Sequence, residues 1–214
     1  MARVVFRLAA PVVAMFAASG AIAAPIITNG SFESGLTGWT TSGSGTTPGI
    51  GITVITTGGT NSTGYGDNVP VYDGTHAVFF VDDNANETLS QSVSLVGGTH
   101  YTLSFALFAT SSGAANPYTF SLKDSVGASV LGTNLSSNVP VGVWTPYSYS
   151  FQAASTGNFT LAFNFVSGQT PSKDVILDAV NITAVPEPAS WALMLMGFGG
   201  LGFAMRQRRK IAFA

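Results

Sequence analysis

The sequence predicts an all-β protein: a jelly-roll-like β-sandwich flanked by an N-terminal signal peptide and a C-terminal transmembrane helix. Short runs rich in aromatic and β-branched residues recur through the middle of the chain, several of them with a period of two. Gly-Gly, Gly-Asn and Asn-Pro dipeptides separate these runs, and no stretch between Pro25 and Val185 has helical periodicity. Strands without alternating helices pack as two antiparallel sheets.

Residues 1–23 have the three parts of a secretory signal peptide. Arg3 and Arg7 form the positive region, and the apolar stretch Leu8–Ala18 is too short to span a bilayer. Ala21-Ile22-Ala23 supplies the small-x-small cleavage pattern. We therefore expect an exported protein whose partners include the general secretion machinery and signal peptidase. The alternative is an uncleaved anchor.

Residues 24–184 are predicted to form one sandwich domain of seven to nine strands. The run Glu87–Leu95 alternates apolar residues and Gln91 on one face with three serines on the other, as a half-buried strand does. The Gly/Ser/Thr tract Thr40–Gly49 and the loop Thr57–Pro70 are predicted to be mobile. The predicted strands are His76–Asp82, Glu87–Leu95, Tyr101–Ala109, Tyr118–Asp124, Trp144–Ala153, Asn158–Val166 and Asp174–Val185.

Charge is scarce and unevenly placed. Only 8% of the 214 residues are charged, against about 25% in an ordinary soluble domain. Between the two ends of the chain, Lys123 and Lys173 stand against nine carboxylates, which gives a net charge of about −7. A surface this poor in cations argues against nucleic acid as a partner. The absence of cysteine excludes disulfides, thiolate metal sites and a cysteine nucleophile.

Three segments of the middle region resemble secreted galactose-binding-like jelly rolls, which include families of carbohydrate-binding modules. Asn29–Trp39 reads "NGSFESGLTGW" and resembles their N-G-x-F-E opening with a following G-W. Gln91–Phe105 reads "QSVSLVGGTHYTLSF" and resembles their Q-x-V-x-L-x-x-G-x-x-Y-x-L-x-F segment. Leu177–Ile182, "LDAVNI", resembles their closing D-x-V strand. The resemblance implies a jelly-roll fold, with carbohydrate binding as one function among the many that this fold hosts.

The same resemblance implies a structural Ca²⁺ that ties the first strand to the last. It places one carboxylate ligand at Glu33 and another at Asp178, with carbonyl oxygens from nearby turns completing the shell. The family usually has two aspartates at the second position, where this chain has Asp178-Ala179. In the alternative interpretation Glu33 caps backbone amides and Asp178 ends a strand in solvent. No other cofactor is expected.

The candidate ligand-binding residues are tyrosines in or beside Gly/Asn/Pro loops, where binding residues concentrate. They are Tyr65, Tyr72 and Tyr118. Trp39 and Trp144 are expected in the core, because the resembling families place core aromatic residues there. No catalytic set is visible: the two histidines sit at strand starts, and no nucleophile-elbow G-x-S-x-G occurs. We therefore predict that the protein is not an enzyme.

The tail, residues 185–210, combines an apolar stretch with a basic end. Residues 189–205 carry no charge, and their number is at the lower limit for a transmembrane helix. The basic end at 206–210 follows at once, which by the positive-inside rule keeps that end in the cytoplasm. The sequence therefore predicts a precursor anchored in the inner membrane by a C-terminal helix.

The whole tail resembles the PEP-CTERM sorting signal of Gram-negative bacteria, in the variant written P-E-P-x-x-W-A. Pro186, Glu187 and Pro188 are followed by Trp191 and Ala192, then by a Met/Leu/Gly-rich stretch and the terminal arginines. The resemblance implies recognition of Pro186, Glu187, Pro188 and Trp191 by exosortase, a membrane enzyme that processes proteins at such tails. Two prolines also hold the backbone extended around Glu187.

Together, these features predict an exported surface or extracellular-matrix protein that exosortase processes. Its expected role is that of a non-enzymatic adhesion module associated with carbohydrate or exopolysaccharide. One alternative is a purely structural, glycosylated envelope or matrix protein without a ligand. A polysaccharide-active enzyme is the other.

Overall fold

The computed structural model describes residues 25–43, 51–56, 71–80, 86–110, 118–135, 139–166, 174–185, 194–202 and 205–206. These residues form ten strands: β1 (Thr40–Ser42), β2 (Thr53–Thr56), β3 (His76–Phe80), β4 (Glu87–Leu95), β5 (His100–Ala109), β6 (Tyr118–Lys123), β7 (Ser129–Asn134), β8 (Thr145–Gln152), β9 (Gly157–Phe165) and β10 (Val175–Ala184). Two five-stranded antiparallel sheets result. Sheet 1 has the order β1-β4-β9-β6-β7, and sheet 2 has the order β2-β3-β10-β5-β8. The predicted jelly-roll-like sandwich is confirmed.

The main core lies between the two sheets and follows from the alternation of side chains along each strand. In β4 and β9, every second side chain faces the opposite sheet and is buried. Phe105 of β5 stands at the centre, with its ring edge-on to Phe120 and Phe163 of sheet 1 at centroid separations of 5.2 and 5.1 Å. Each such aromatic pair contributes about 1 kcal/mol beyond the apolar area that it buries.

Sheet 2 is buried on both faces over part of its length. In β3 all four residues after His76 are buried, which explains why "HAVFF" reads as a continuous apolar run. Val78 and Phe80 face the main core, whereas Phe79 belongs to a second cluster on the outer face. That outer cluster consists of Ile55, Ala77, Phe79, Phe108 and Ile176, with Val71 and Trp144 packed against it.

The N-terminal turn, residues 29–39, is held by its own side chains. The Asn29 amide donates to the carbonyls of Gly35 and Thr37, and its Oδ1 accepts from the Ser34 N–H. Trp39 donates from Nε1 to the Asn29 carbonyl and packs on Phe32. These contacts give a physical reason for the N-G-x-F-E…G-W pattern.

The second and third resembling segments join the N-terminal turn to the sheets. The amide of Gln91, buried on the inner face of β4, both accepts from the Thr28 N–H and donates to the Thr28 carbonyl. In β10, the Val180 N–H donates to the carbonyl of Gly30 at 2.9 Å. A side chain at Gly30 would overlap the Val180 carbonyl, so only glycine fits there.

The predicted strands can be compared directly with the structure, whereas most of the segments predicted to be mobile cannot. Strands match all seven predicted runs, and β1, β2 and β7 are additional. The first residues of the tract predicted to be mobile, Thr40–Ser42, form β1 and pair with β4. Residues 44–49 of that tract and the loop Thr57–Pro70 lie outside the described residues.

The described part of the tail is helical at 194–202 and 205–206. Among the residues that the structure describes, no helix combines the length and the apolar character needed to cross a membrane. The transmembrane span at 189–205 therefore stays a prediction.

Candidate functional site

Glu33 fixes the chain just before β3. Its carboxylate accepts from the backbone N–H groups of Thr75 and His76 at 2.7 and 2.9 Å, and from the Thr75 hydroxyl at 2.7 Å. The Nδ1 of His76 lies 3.2 Å from the same carboxylate. The hydrogen bonds from Thr75, then those from His76, lower the pKa of Glu33 to about 2. Glu33 therefore acts as an ionised cap on this backbone.

Asp178 of β10 holds the same loop through a second carboxylate. It is fully buried at a bulge in β10, where the register with β5 shifts and Ala179 adopts a φ of +52°. Its Oδ2 accepts from the N–H groups of Tyr72 and Asp73, each at 2.9 Å, and its Oδ1 accepts from the Ala179 N–H. Burial raises the pKa of Asp178 to about 6, against the opposing effect of these three N–H groups.

This arrangement does not fit the predicted calcium site. Ca²⁺ needs six to eight oxygen ligands that converge on one point. Here, all four carboxylate oxygens of Glu33 and Asp178 instead accept from N–H or O–H donors. The described residues also contain no group of three His, Asp or Glu side chains that could hold a metal. The contacts follow the alternative for Glu33, whereas Asp178 is buried within its strand and does not end a strand in solvent.

The loop held by these carboxylates carries a half-exposed aromatic pair. Tyr72 is 47% exposed, and its ring lies 5.5 Å from that of Trp144 at an interplanar angle of 55°. Trp144 packs in turn on Phe108 of the outer cluster, also at 5.5 Å. The prediction that Trp144 lies in the core needs correction, because it is only partly buried and covers the outer face of sheet 2.

A cavity of about 420 Å³ adjoins the same loop, with Asp73, the neighbour of Tyr72, in its wall; the rings of Tyr72 and Trp144 do not line it. Ser104 of β5 and Asn181 of β10, which are paired in register on the outer face of sheet 2, supply further polar groups. Ser31 contributes a hydroxyl. Asn29 and Ala179, two of the three non-glycine residues with positive φ in the described chain, also line this cavity. Such backbone strain persists where the surroundings enforce it, often at ligand sites.

The other predicted binding residues do not join this surface. Tyr118 is completely buried, and its ring lies edge-on to Phe80 at 5.2 Å, so it presents no face to a ligand. Burial, and secondarily the charge of Glu87, raise the pKa of Tyr118 well above its usual value. Tyr65 lies outside the described residues. Trp39 is in the core as predicted.

Sequence reasoning gave no role to three residues that the structure makes prominent. Asp73 and Asn181 line the cavity, and nothing in the sequence marks them as neighbours. Glu87 is a carboxylate buried on the inner face of β4. The sequence could have predicted this burial, because the period of two places Glu87 on the same face of the strand as Leu89 and Gln91.

The sorting residues Pro186, Glu187, Pro188 and Trp191 lie outside the described residues. The chain leading to them is described to Val185, whose N–H donates to the carbonyl of His100 at 2.8 Å. Sheet pairing therefore continues to the residue before Pro186.

The sequence of the tail matches a family described as the PEP-CTERM protein-sorting motif, over residues 184–210. The predicted sorting motif is thereby confirmed, and it marks an exported protein that is processed at a membrane. No curated protein matches the chain in sequence.

Solved structures confirm the fold. TmCBM61, determined in complex with β-1,4-galactotriose, is 16% identical, with a TM-score of 0.54 over 76% of this chain and 99% of its own. Family 16 carbohydrate-binding module 2 is also 16% identical, with a TM-score of 0.51 over 74% and 99%. The Stig cyclase Fisc from Fischerella sp. TAU is 17% identical, with a TM-score of 0.58 over 76% and 97%. At these identities the likeness concerns the fold alone, and the fold serves both binding modules and a cyclase.

Proposed function

We propose that this protein is an exported, exosortase-processed surface or matrix protein that binds carbohydrate on the outer face of sheet 2. The observation that carries the ligand-binding part is the half-exposed Tyr72, packed on Trp144, on a loop whose next residue, Asp73, lines a polar cavity. Small-molecule sites combine apolar and aromatic walls with a few placed polar groups. The sorting motif and the carbohydrate-binding-module-like fold support the same function.

The chemistry of the cavity favours a hydroxyl-rich ligand. The carboxylate of Asp73 accepts hydrogen bonds, while the hydroxyl of Ser104 and the amide of Asn181 both donate and accept. Sugar hydroxyls match such a set, and the aromatic pair offers an apolar surface for a pyranose ring. We propose no catalytic role for these groups.

The tail sets the proposed path of the protein. A C-terminal helix at 189–205 holds the precursor in the inner membrane, where exosortase meets Pro186–Pro188. After processing, the sandwich reaches the cell surface or the extracellular matrix. This order agrees with a motif found in membrane-processed proteins.

Glycan binding tests the proposal. We expect the purified sandwich to bind at least one polysaccharide in a glycan array, and Trp144→Ala and Tyr72→Ala to weaken binding at least tenfold, about 1.4 kcal/mol. Tyr72→Phe keeps the ring and should bind within about twofold of the unchanged protein.

Val143→Ala serves as the control for surface substitution, since Val143 is 57% exposed and belongs to neither hydrophobic cluster of the described residues. Absence of binding to every polysaccharide would favour a purely structural matrix protein. Binding that survives both alanine substitutions would move the ligand site elsewhere on the sandwich.

A further inference from the structure

The end of the sandwich from which the tail leaves, here called the tail face, is formed by three tight turns. They are the β4–β5 turn (96–99), the β6–β7 turn (124–128) and the β8–β9 turn (153–156). β10 ends beside them, because Ala184 pairs with Tyr101 and Val185 bonds to His100. The tail therefore starts at this face.

Three valines of the tail face are exposed to solvent. Val126 is 85% exposed, Val96 is 57% exposed and Val185 is 43% exposed. The remaining residues of the turns are Gly, Ala, Ser and Thr, apart from one aspartate. That residue, Asp124, directs its Oδ1 at the N–H groups of Val126 and Ala128.

In the β4–β5 and β8–β9 turns, many backbone polar groups are hydrogen-bonded to the other turn or to residues beside it. Gly98 donates to the Ala153 carbonyl at 2.7 Å, and its own carbonyl accepts from the Gln152 amide at 2.8 Å. Gly97 donates to the hydroxyl of Thr156 at 2.9 Å. Polar backbone groups that are already paired lose little when water is removed, so such turns tolerate a medium of low dielectric constant.

The chain that connects the tail face to the uncharged segment of the tail is short. Only Pro186, Glu187 and Pro188 separate Val185, which is bonded to the sheet, from the uncharged segment that starts at 189. Three extended residues span at most about 11 Å. The headgroup layer on each side of a bilayer is about 5–8 Å thick. With residues 189–205 in the hydrocarbon core, the tail face must lie at the headgroups.

We propose that the tail face is a membrane-docking surface, which rests on the lipid headgroups of the precursor's own membrane with Val96 and Val126 at the contact. This rests on the membrane-anchored precursor of the proposed function. The docked end brings the folded sandwich directly beside the sorting residues, so a membrane enzyme that reaches them also meets these turns.

Depth-dependent fluorescence quenching tests the docking. Because the chain has no cysteine, single cysteines can be labelled one at a time. Val96→Cys is the test position and Val143→Cys is its match, since both valines are 57% exposed and Val143 precedes β8 at the opposite end of the sandwich. Leu195→Cys, 69% exposed, reports on the tail.

In the full chain reconstituted into phosphatidylcholine vesicles with brominated lipid, we expect several-fold stronger quenching at position 96 than at position 143, and strong quenching at 195. A Gly-Ser linker inserted between Val185 and Pro186 should lower the quenching at 96 and leave 195 unchanged. Equal quenching at 96 and 143, with 195 quenched, would overturn the docking alone. An unquenched 195 would overturn the membrane-anchored precursor as well.

Discussion

Glu33 and Asp178 both hold the loop at 71–75, and their pKa values are shifted in opposite directions. Glu33 sits at the surface, where hydrogen bonds from Thr75 and His76 stabilise its charge. Asp178 accepts three N–H groups, yet burial outweighs them and favours the neutral acid. The loop that carries Tyr72 is thus fixed by one carboxylate that stays ionised down to low pH and by another that is protonated below about pH 6.

The two shifts predict opposite pH dependences of stability. The pKa of Asp178 rises from 3.8 to about 6 on folding, so the folded state binds more protons in that window and stability falls as the pH rises through it. The pKa of Glu33 falls from 4.5 to about 2, so its contribution is present above pH 4.5 and is lost as the pH falls towards 2. Urea unfolding at a series of pH values measures both.

Single isosteric variants separate the two contributions. Asp178→Asn should flatten the profile between pH 4 and 6 relative to the unchanged protein, and Glu33→Gln should flatten it below pH 4.5. Each variant is the control for the other, because each removes one titrating group. An Asp178→Asn profile parallel to that of the unchanged protein between pH 4 and 6 would contradict the raised pKa.

Among the elements, the N-terminal turn and the β10 bulge meet around the loop at 71–75. The turn provides Glu33 and the bulge provides Asp178, and backbone donors of the loop occupy their oxygens. Direct hydrogen bonds thus make the tie between the first and last parts of the domain that the family resemblance assigns to Ca²⁺.

We therefore expect a chelator to leave the melting temperature of the sandwich unchanged. The measurement is a thermal scan with EDTA, then with added Ca²⁺, on protein purified without chelator. Glu33→Ala, which removes the cap, should lower the melting temperature equally in both conditions. A fall with EDTA that Ca²⁺ reverses would restore the calcium site and require the carboxylates to rearrange.

Element by element, predictability followed the strength of the local pattern. β4 was predictable because its period of two is complete over nine residues. β1 was not, since its three residues are all exposed and carry no apolar signal. The prediction for Trp144 was wrong because an aromatic residue just before a strand gives the same sequence signal whether it packs on the inner or on the outer face of the sheet. The pairing of Tyr72 with Trp144 and of Ser104 with Asn181 depends on tertiary contacts, which no single-sequence pattern encodes.

On the scale of the whole molecule, the proposed surfaces divide between the side and the end of the sandwich. The aromatic pair and the cavity lie on the outer face of sheet 2, and the tail face lies at the end of the strands. Docking by that end would leave the outer face of sheet 2 open to a polymer outside the membrane. Binding and processing would then use separate surfaces, so variants at Tyr72 or Trp144 should be processed normally.

Processing itself predicts a defined change in mass. In a host that has exosortase, the protein should lack the C-terminus at Ala214, because the proposed recognition residues Pro186–Pro188 lie upstream of the basic end. In the same host without exosortase, the tail should remain and the protein should stay in the membrane fraction. Intact-mass analysis with C-terminal peptide mapping distinguishes the two states.

Glu187→Gln tests whether the sorting residues direct this step, and Asp73→Asn is the matched control, since it also removes one exposed carboxylate but lies away from the tail face. We expect Glu187→Gln to accumulate as the unprocessed membrane form, because it changes the one charged residue of the Pro-Glu-Pro motif. Asp73→Asn should be processed, because Asp73 lies in the wall of the cavity and not on the tail face. A protein that ends at Ala214 in cells with active exosortase would rule out processing at this tail, whatever the sandwich binds.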